Sequence, residues 1–268
     1  MTITQDTVTA GEKVADPVDS TAAGRRGDSI RMLAQPVVAV GGAAAILVWA
    51  FAFNDLNATQ RETLNASSLG TRLGQHIAIT AVVTAIVVAL AVPLGILLTR
   101  RGYKALSPVF IGIGNIGQAS PAIGLLVLLF LWTGKTGFWI GVLPIAFYSL
   151  LPVLRNTMLG MQSVDPSLID AGLGQGMSPM TVLRRVEFPL AVPFILAGLR
   201  TSLVLAVGTA TLCFLVGAGG LGVLIDTGYK LRDNPTLYVG AVLAVALALF
   251  IDWLGALAER FIGPKGLR

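Results

Sequence analysis

Residues 76–99 read HIAITAVVTAIVVALAVPLGILLT and hold no Asp, Glu, Lys or Arg. At about 1.5 Å per residue, a helix of that length reaches about 36 Å, enough to cross a hydrocarbon core of about 30 Å. An amphipathic helix of a soluble protein keeps a charged or strongly polar face, and this stretch has none. Apolar runs of similar character lie on either side, at about 36–53, 107–133, 137–160, 190–216 and 237–258. The reading is therefore an all-α, polytopic transmembrane bundle of about six spans. The third run carries Gly112, Gly114, Gly117 and Pro121, which predicts two shorter pieces in place of one straight helix.

Composition agrees. Of 268 residues 54% are hydrophobic and only 12% are charged, against about a quarter charged in soluble domains. Mean hydropathy is +0.79. The net charge of +5 does not describe a nucleic-acid surface, because the basic residues flank apolar runs and form no continuous patch. Cys213 is the single cysteine and His76 the single histidine, and both fall at or within spans. No disulfide within the chain and no cysteine-based metal cluster can form, and His76, read as opening the second span, is expected to pack. Without clustered His, Asp, Glu or Cys there is no basis for a membrane enzyme or a bound cofactor.

The ends and loops set the topology. Residues 1–28 mix charges without an apolar period and predict a disordered tail, its boundary drawn at residue 30. Arg25, Arg26 and Arg31 before an apolar run would also suit a secretory signal, but 36–53 is longer than the usual apolar core of one. The segment 31–60 is read as the first, uncleaved span, 61–260 as the main transmembrane domain with a loop at 161–189, and 261–268 as a second tail. Thirteen Lys and Arg fall on the side that holds both termini and that loop, five fall on the other, and Arg200 falls inside a span. Basic loops stay in the cytoplasm, so both termini are expected there, in a multi-pass protein of the plasma or inner membrane. Trp49, Phe51, Phe53, Trp132, Trp139 and Tyr238 would form the outer aromatic belt.

The loop is patterned beyond what a connection needs. Asp165-Pro166 reads as a helix cap followed by proline at the first helical position, with Leu168, Ile169 and Leu173 on one face and Gly176 as a left-handed stop. Ser178-Pro179 repeats the start signal, and a second short helix would show Met180, Leu183 and Val186 on one face before Pro189 leads into the next span. An interfacial helix resting on lipid, with basic residues on anionic headgroups, is the plainer account of such a pattern.

Asp170-Ala171-Gly172, three residues, Gly176, nine residues, then Val186-Glu187-Phe188-Pro189 resembles the EAA loop of ABC importer permeases, written EAA-x3-G-x9-I-x-L-P. The spacing matches throughout, with Asp for Glu, Gly for the second Ala, and Val and Phe for Ile and Leu. The resemblance implies a type I importer permease fold in which this loop is a coupling helix seated on a cytoplasmic ABC ATPase. Asp170, Ala171, Gly172, Leu173, Gly176, Arg184, Arg185 and Pro189 are the positions it marks. Gly117 to Ala122, Leu151 to Thr157, Gly208 to Leu212 and Gly217 to Gly222 further resemble the osmoprotectant permeases, and the likeness runs over about 70–258. That narrower likeness implies import of glycine betaine, carnitine, choline or proline betaine. It also implies separate ATPase subunits, an extracytoplasmic substrate-binding protein, and a second copy or paralogue of the permease. Selection of the cationic head by aromatic contact would fall mainly to the binding protein. The chain carries no Walker A string, so ATP hydrolysis would belong to a partner. An importer for another small solute, such as an amino acid or thiol-betaine, is the rival within the class, and an autonomous channel or secondary transporter the rival outside it.

Gly217-x-Gly219-x-x-Gly222 matches a dinucleotide fingerprint in letters only, because it follows an apolar helix and not a strand; a flexible outer turn is the better reading. Asn115, Gln118, Ser120 and Pro121 sit where the third span is broken and are expected to line the translocation path, since irregular backbone at that depth needs a cavity or protein around it. Asn156 and Thr209, from the matched strings, are placed on the same path. Arg200 and Asp252 are charges inside spans and are expected to pair.

Overall fold

The computed structural model describes residues 17–262, and side chains over 33–261. Residues 1–16 and 263–268, parts of the tails expected at 1–30 and 261–268, lie outside the described residues. Helix α1 is Pro17–Ala52. Residues 17–30, expected as disordered tail, are thus helical. Once the apolar turns of a span exist, each added residue gains a hydrogen bond without a new nucleus, and Pro17 sits where its missing N–H leaves nothing unpaired. The helix stops at Ala52, short of the segment end expected at residue 60. Helix α2, Ala58–Thr63, follows behind a capping box in which Asn57 and Gln60 exchange side-chain and backbone bonds.

Helix α3, Ala66–Leu98, starts ten residues before His76, because the Asn65 side chain caps it by accepting from the Ser68 N–H. His76 therefore lies inside the helix and does not open it. Helices α4, Ser107–Ala119, and α5, Ala122–Thr133, are the two pieces of the third run. They meet at 97°, with Ser120 extended before Pro121 as the proline ring demands. Helix α6, Phe138–Gln162, is the most enclosed span and packs against α3, α4, α5 and the later stretch 188–216. Helix α7 is Pro166–Gly174, and α8, Pro179–Val182, runs through a π turn at Leu183–Glu187 into α9, Phe188–Ala210. The span expected at 190–216 thus begins at Pro179. Pro189 has no N–H to give and crowds the carbonyl four residues back, and the ladder widens there instead of breaking, with the Phe188 N–H on the Leu183 carbonyl. A 3₁₀ turn, Thr211–Val216, leads to α10, Gly222–Leu231, and α11, Asn234–Ile262, closes the bundle. Among the described residues, five helices are long and apolar enough to span, or six elements if the bent α4–α5 pair counts as one.

Between apolar helices in lipid, burial of apolar surface gains little, and association rests on close packing. The contacts show it. An added Cβ on Gly95 of α3 would stand 2.8 Å from Thr157 of α6, and one on Gly160 of α6 would stand 2.9 Å from the Ala191 carbonyl of α9. Gly198 of α9 lies over Asn156 and the Pro152 carbonyl of α6, and Gly141 lies over Cys213. Helix α1 packs on α11 at the edge of the bundle.

Gly198→Ala puts a methyl 2.8 Å from a backbone oxygen that cannot move aside. It should lose about 1–3 kcal/mol, although Gly to Ala within a helix otherwise gains about 0.5–1 kcal/mol. Gly208→Ala, with nothing within 4 Å, should be neutral or stabilising. Thermal unfolding of the purified variants in detergent reads the difference.

Candidate functional site

The connection between α6 and α9 is locked locally at every joint. The Asp165 side chain accepts from the Ser167 N–H at 2.8 Å and starts α7. These bonds to Ser167 hold its carboxyl below the usual carboxylate range. At the other end Gly176 takes φ +81°, its N–H bonds the Leu173 carbonyl at 2.9 Å, and the Met177 N–H reaches back to Gly172 at 3.1 Å. That is the double bond pattern of a Schellman stop, which a residue with a Cβ adopts only under strain. Ser178 then caps α8 through the Thr181 N–H.

Gly172, one of the positions the loop motif marks, turns inward. It is buried, and an added Cβ would stand 3.2 Å from Val182 of α8. Its small size docks α7 onto the next helix of its own chain. The face that remains open carries Leu168, Leu173 and Met180, with Asp170, Ala171, Arg184 and Arg185 also exposed. Pro189 lies exposed at the start of α9.

Glu187, unremarked in the motif reading, is the residue that ties this element to the bundle. It closes the π turn with its side chain only 6% exposed, and both oxygens accept from Arg100, at 3.1 and 2.8 Å. Arg100 follows the end of α3, so a two-pronged ion pair joins the base of the loop to a different span. The sequence signal was available in principle, since an acid flanked by Val186 and Phe188 has to find a cation if the flanks are buried.

The other marked residues divide. Asn115 of α4 accepts from Arg155 of α6 at 2.7 Å on the open face of the bundle. Gln118, Ser120 and Pro121 sit at the bend; Gln118 and Ser120 are half-buried, and the Ser120 hydroxyl donates back to Ile116. Asn156 does not join them: it donates to the Pro152 carbonyl at 2.8 Å and fills the α6–α9 contact under Gly198. The Thr209 hydroxyl donates back to the Leu205 carbonyl at 2.7 Å and reaches that of Ala206 at 3.3 Å, as hydroxyls inside apolar helices do. Arg200 and Asp252 form a two-pronged pair at 2.6 and 2.8 Å. The Gln35 amide of α1 donates to the same carboxylate at 2.6 Å, and Glu259 stands 3.8 Å from Arg200.

At the opposite end of the bundle, the glycine turn after the 3₁₀ segment is tied down rather than flexible. Gly217, Gly219 and Gly220 all take φ between +71° and +91°. The Gly220 N–H donates to Gln75, and the Leu221 N–H to His76 Nδ1. His76 Nε2 bonds the Val207 carbonyl at 3.0 Å, so the buried ring staples α3 to α9 and to the turn.

Against known proteins, residues 91–263 match the model of the binding-protein-dependent transport system inner membrane component. The chain belongs to that family. It is a membrane-spanning ABC permease, a transport subunit. OpuCB of Bacillus subtilis, described as a glycine betaine/carnitine/choline transport system permease protein, is 38% identical over 206 residues, covering 76% of this chain and 93% of that protein. The osmoprotectant import permease protein OsmW of Salmonella typhimurium is 36% identical over 208 residues, covering 76% and 96%. Among solved structures, an inward-facing MetNI methionine ABC transporter chain superposes with TM-score 0.63 at 25% identity, over 73% of this chain and 96% of that one. The family match begins at residue 91, so α1, α2 and most of α3 lie before it.

Two measurements test this joint in the permease. Arg100→Leu strands a carboxylate that is 6% exposed and should cost about 2 kcal/mol. Arg100→Leu with Glu187→Leu removes both partners and should recover most of the loss, read as melting temperature in detergent. The second concerns pH. With the folded value of Asp165 depressed below 3.8, its contribution is present above 3.8 and is lost as pH falls through the folded value. The protection factor for hydrogen exchange at the first turn of α7 should therefore fall below about pH 4 in the wild type, and Asp165→Asn should abolish that dependence while keeping the cap.

Proposed function

We propose that this chain is the permease subunit of an ATP-driven, binding-protein-dependent importer of osmoprotectants of the glycine betaine, carnitine and choline type. Two ATPase subunits act on it from the cytoplasm, an extracytoplasmic binding protein delivers the solute, and a second permease completes the path. The end of the bundle that carries α7 faces the cytoplasm together with both termini, in the cell membrane. The excess of Lys and Arg at that end supports the orientation, and the names of the curated relatives support the solute class.

The observation that carries the reading is α7 itself. It is capped at both ends, docked on α8 through Gly172, joined to α3 by Glu187 and Arg100, and still leaves Leu168, Leu173 and Met180 exposed. A helix rigid on its inner side and apolar on its open side is built to be pushed. Asp170, Arg184 and Arg185 supply charges around the contact, and Gly176 keeps the helix short. Closure of the ATPases on ATP would move α7, and the π turn and the Glu187–Arg100 pair would carry that movement into α9 and α3. The bent α4–α5 pair, with Gln118, Ser120 and Pro121, lies on the path side.

The test uses the assembled importer in a strain lacking its other osmolyte uptake systems. Leu168→Asp with Leu173→Asp should cut uptake of labelled glycine betaine at least about tenfold, the factor that corresponds to 1.4 kcal/mol of lost contact. Membrane abundance of the permease should not change, and ATPase activity should no longer respond to loaded binding protein. Full uptake by that variant, or uptake by the permease alone without an ATPase, would overturn the reading.

A further inference from the structure

The acids within the span helices are all paired, whereas several of the cations there, Arg72, Arg155, Arg184 and Arg185, meet no acid among the described residues. Among the residues whose side chains are described, the acids in those helices are Glu187, Asp252 and Glu259, and each stands within an ion pair. Arg155 of α6 has no acid. Its one protein partner is the neutral Asn115, whose Oδ1 accepts from Nη2 at 2.7 Å, and both side chains are exposed. The rest of the guanidinium fork is open.

Arg155, counted above with the cytoplasmic-side cations, sits at the inner end of its span, and its placement argues against a simple headgroup anchor. It lies seven residues before the end of α6, about 10 Å inside the helix. An arginine at such depth normally extends along the helix to reach headgroups. Arg155 is held sideways on α4 instead, at a residue just before the 97° bend. On α6 it interrupts an otherwise apolar open stripe made by Trp139, Leu143, Phe147 and Leu159. A bare guanidinium on that face is tolerable only beside a water-filled path or an anion. Among the described residues, every acid in the span helices of a second copy is already paired.

We infer that Arg155, oriented by Asn115, is a carboxylate-binding site on the transport path, and that it selects solutes which carry a carboxylate. The inference rests on the osmoprotectant reading for its solutes and deepens it. Glycine betaine and carnitine present a carboxylate that the open fork can take in two-pronged fashion. Choline presents a hydroxyl and a net positive charge, which the guanidinium repels. Specificity then has an attractive and a repulsive part at one residue.

Two arms test it. In the first, the full-length chain in nanodiscs is treated with phenylglyoxal, an arginine reagent, and modification of Arg155 is followed by mass spectrometry. Acetate and glycine betaine, each at about twice its Kd, should slow the modification about threefold, and choline should not. Equal protection by all three, or by none, overturns the proposal. Protection that appears only when phosphatidylglycerol replaces phosphatidylcholine, without solute, also overturns it and assigns Arg155 to headgroups. In the second arm, uptake by the assembled importer is compared for Arg155→Gln, Arg155→Lys and wild type. Arg155→Gln should lose about tenfold in glycine betaine uptake while choline uptake holds or rises, and Arg155→Lys should recover part of the loss. An equal fall for both solutes makes the residue structural and overturns the site. Wild-type cells that take up no osmoprotectant, with protection by acetate intact, would overturn the solute reading alone and leave the carboxylate site standing.

Discussion

Backbone contact between α6 and α9 is the constraint on which the rest of the bundle depends. Lipid is as apolar as the helices it surrounds, so the hydrophobic effect that assembles a soluble core does not choose the arrangement of these spans. What chooses it is how closely two helices can approach, and glycine decides that. Gly160 and Gly198 remove the side chains from two levels of one crossing, so the Ala191 carbonyl lies against Gly160 and the Pro152 carbonyl against Gly198. Gly95 and Gly141 do the same for α3 and for the 3₁₀ turn. Helix α6 consequently touches most of the bundle, and a movement of α6 relative to α9 has to be a movement of rigid bodies.

That rigidity gives the loop between them its leverage. Helices α6 and α9 leave the packed region at the same end, and the chain between them has few degrees of freedom left. Asp165, Gly176 and Ser178 specify each turn, Val182 closes over Gly172, and the π turn lets the chain pass Pro189 without a break. The Glu187–Arg100 pair adds a third attachment, to α3, at a point where one partner is nearly dry. An ion pair at a water surface would contribute little, but a carboxylate already withdrawn from water cannot leave its cation cheaply. The loop is thus continuous with the bundle on one side and free on the other.

Arg200 and Arg155 show how the same residue type is put to opposite use. Arg200 meets Asp252 in a two-pronged contact that also holds Gln35 of α1, so its charge is spent on joining an outlying helix to α11 and α9. Arg155 is steadied by a neutral amide and keeps its charge for something outside the chain. A guanidinium left in that state at depth is costly in a static structure and sensible in a path.

Much of this was legible in the residues. Uncharged runs of about 20 residues have one stable solution in lipid, a helix that satisfies its own backbone, so the all-α bundle follows from 76–99 and its companions. The break at Ser120–Pro121 followed from proline, and the ends of α7 followed from Asp165, Pro166 and Gly176, because caps are local and are written within four residues of the bond they make. Helices α1, α3 and α9 run beyond their apolar stretches, since polar turns can continue a helix once the span supplies the nucleus. Only the tertiary structure decided what touches what. That Gly172 faces Val182 and not a partner, that Asn156 packs under Gly198, that Glu187 finds Arg100 across 87 residues and that Arg155 finds no acid all depend on how the helices cross. The crossing is set by the summed fit of many small residues along each helix, and no short stretch of sequence carries that sum.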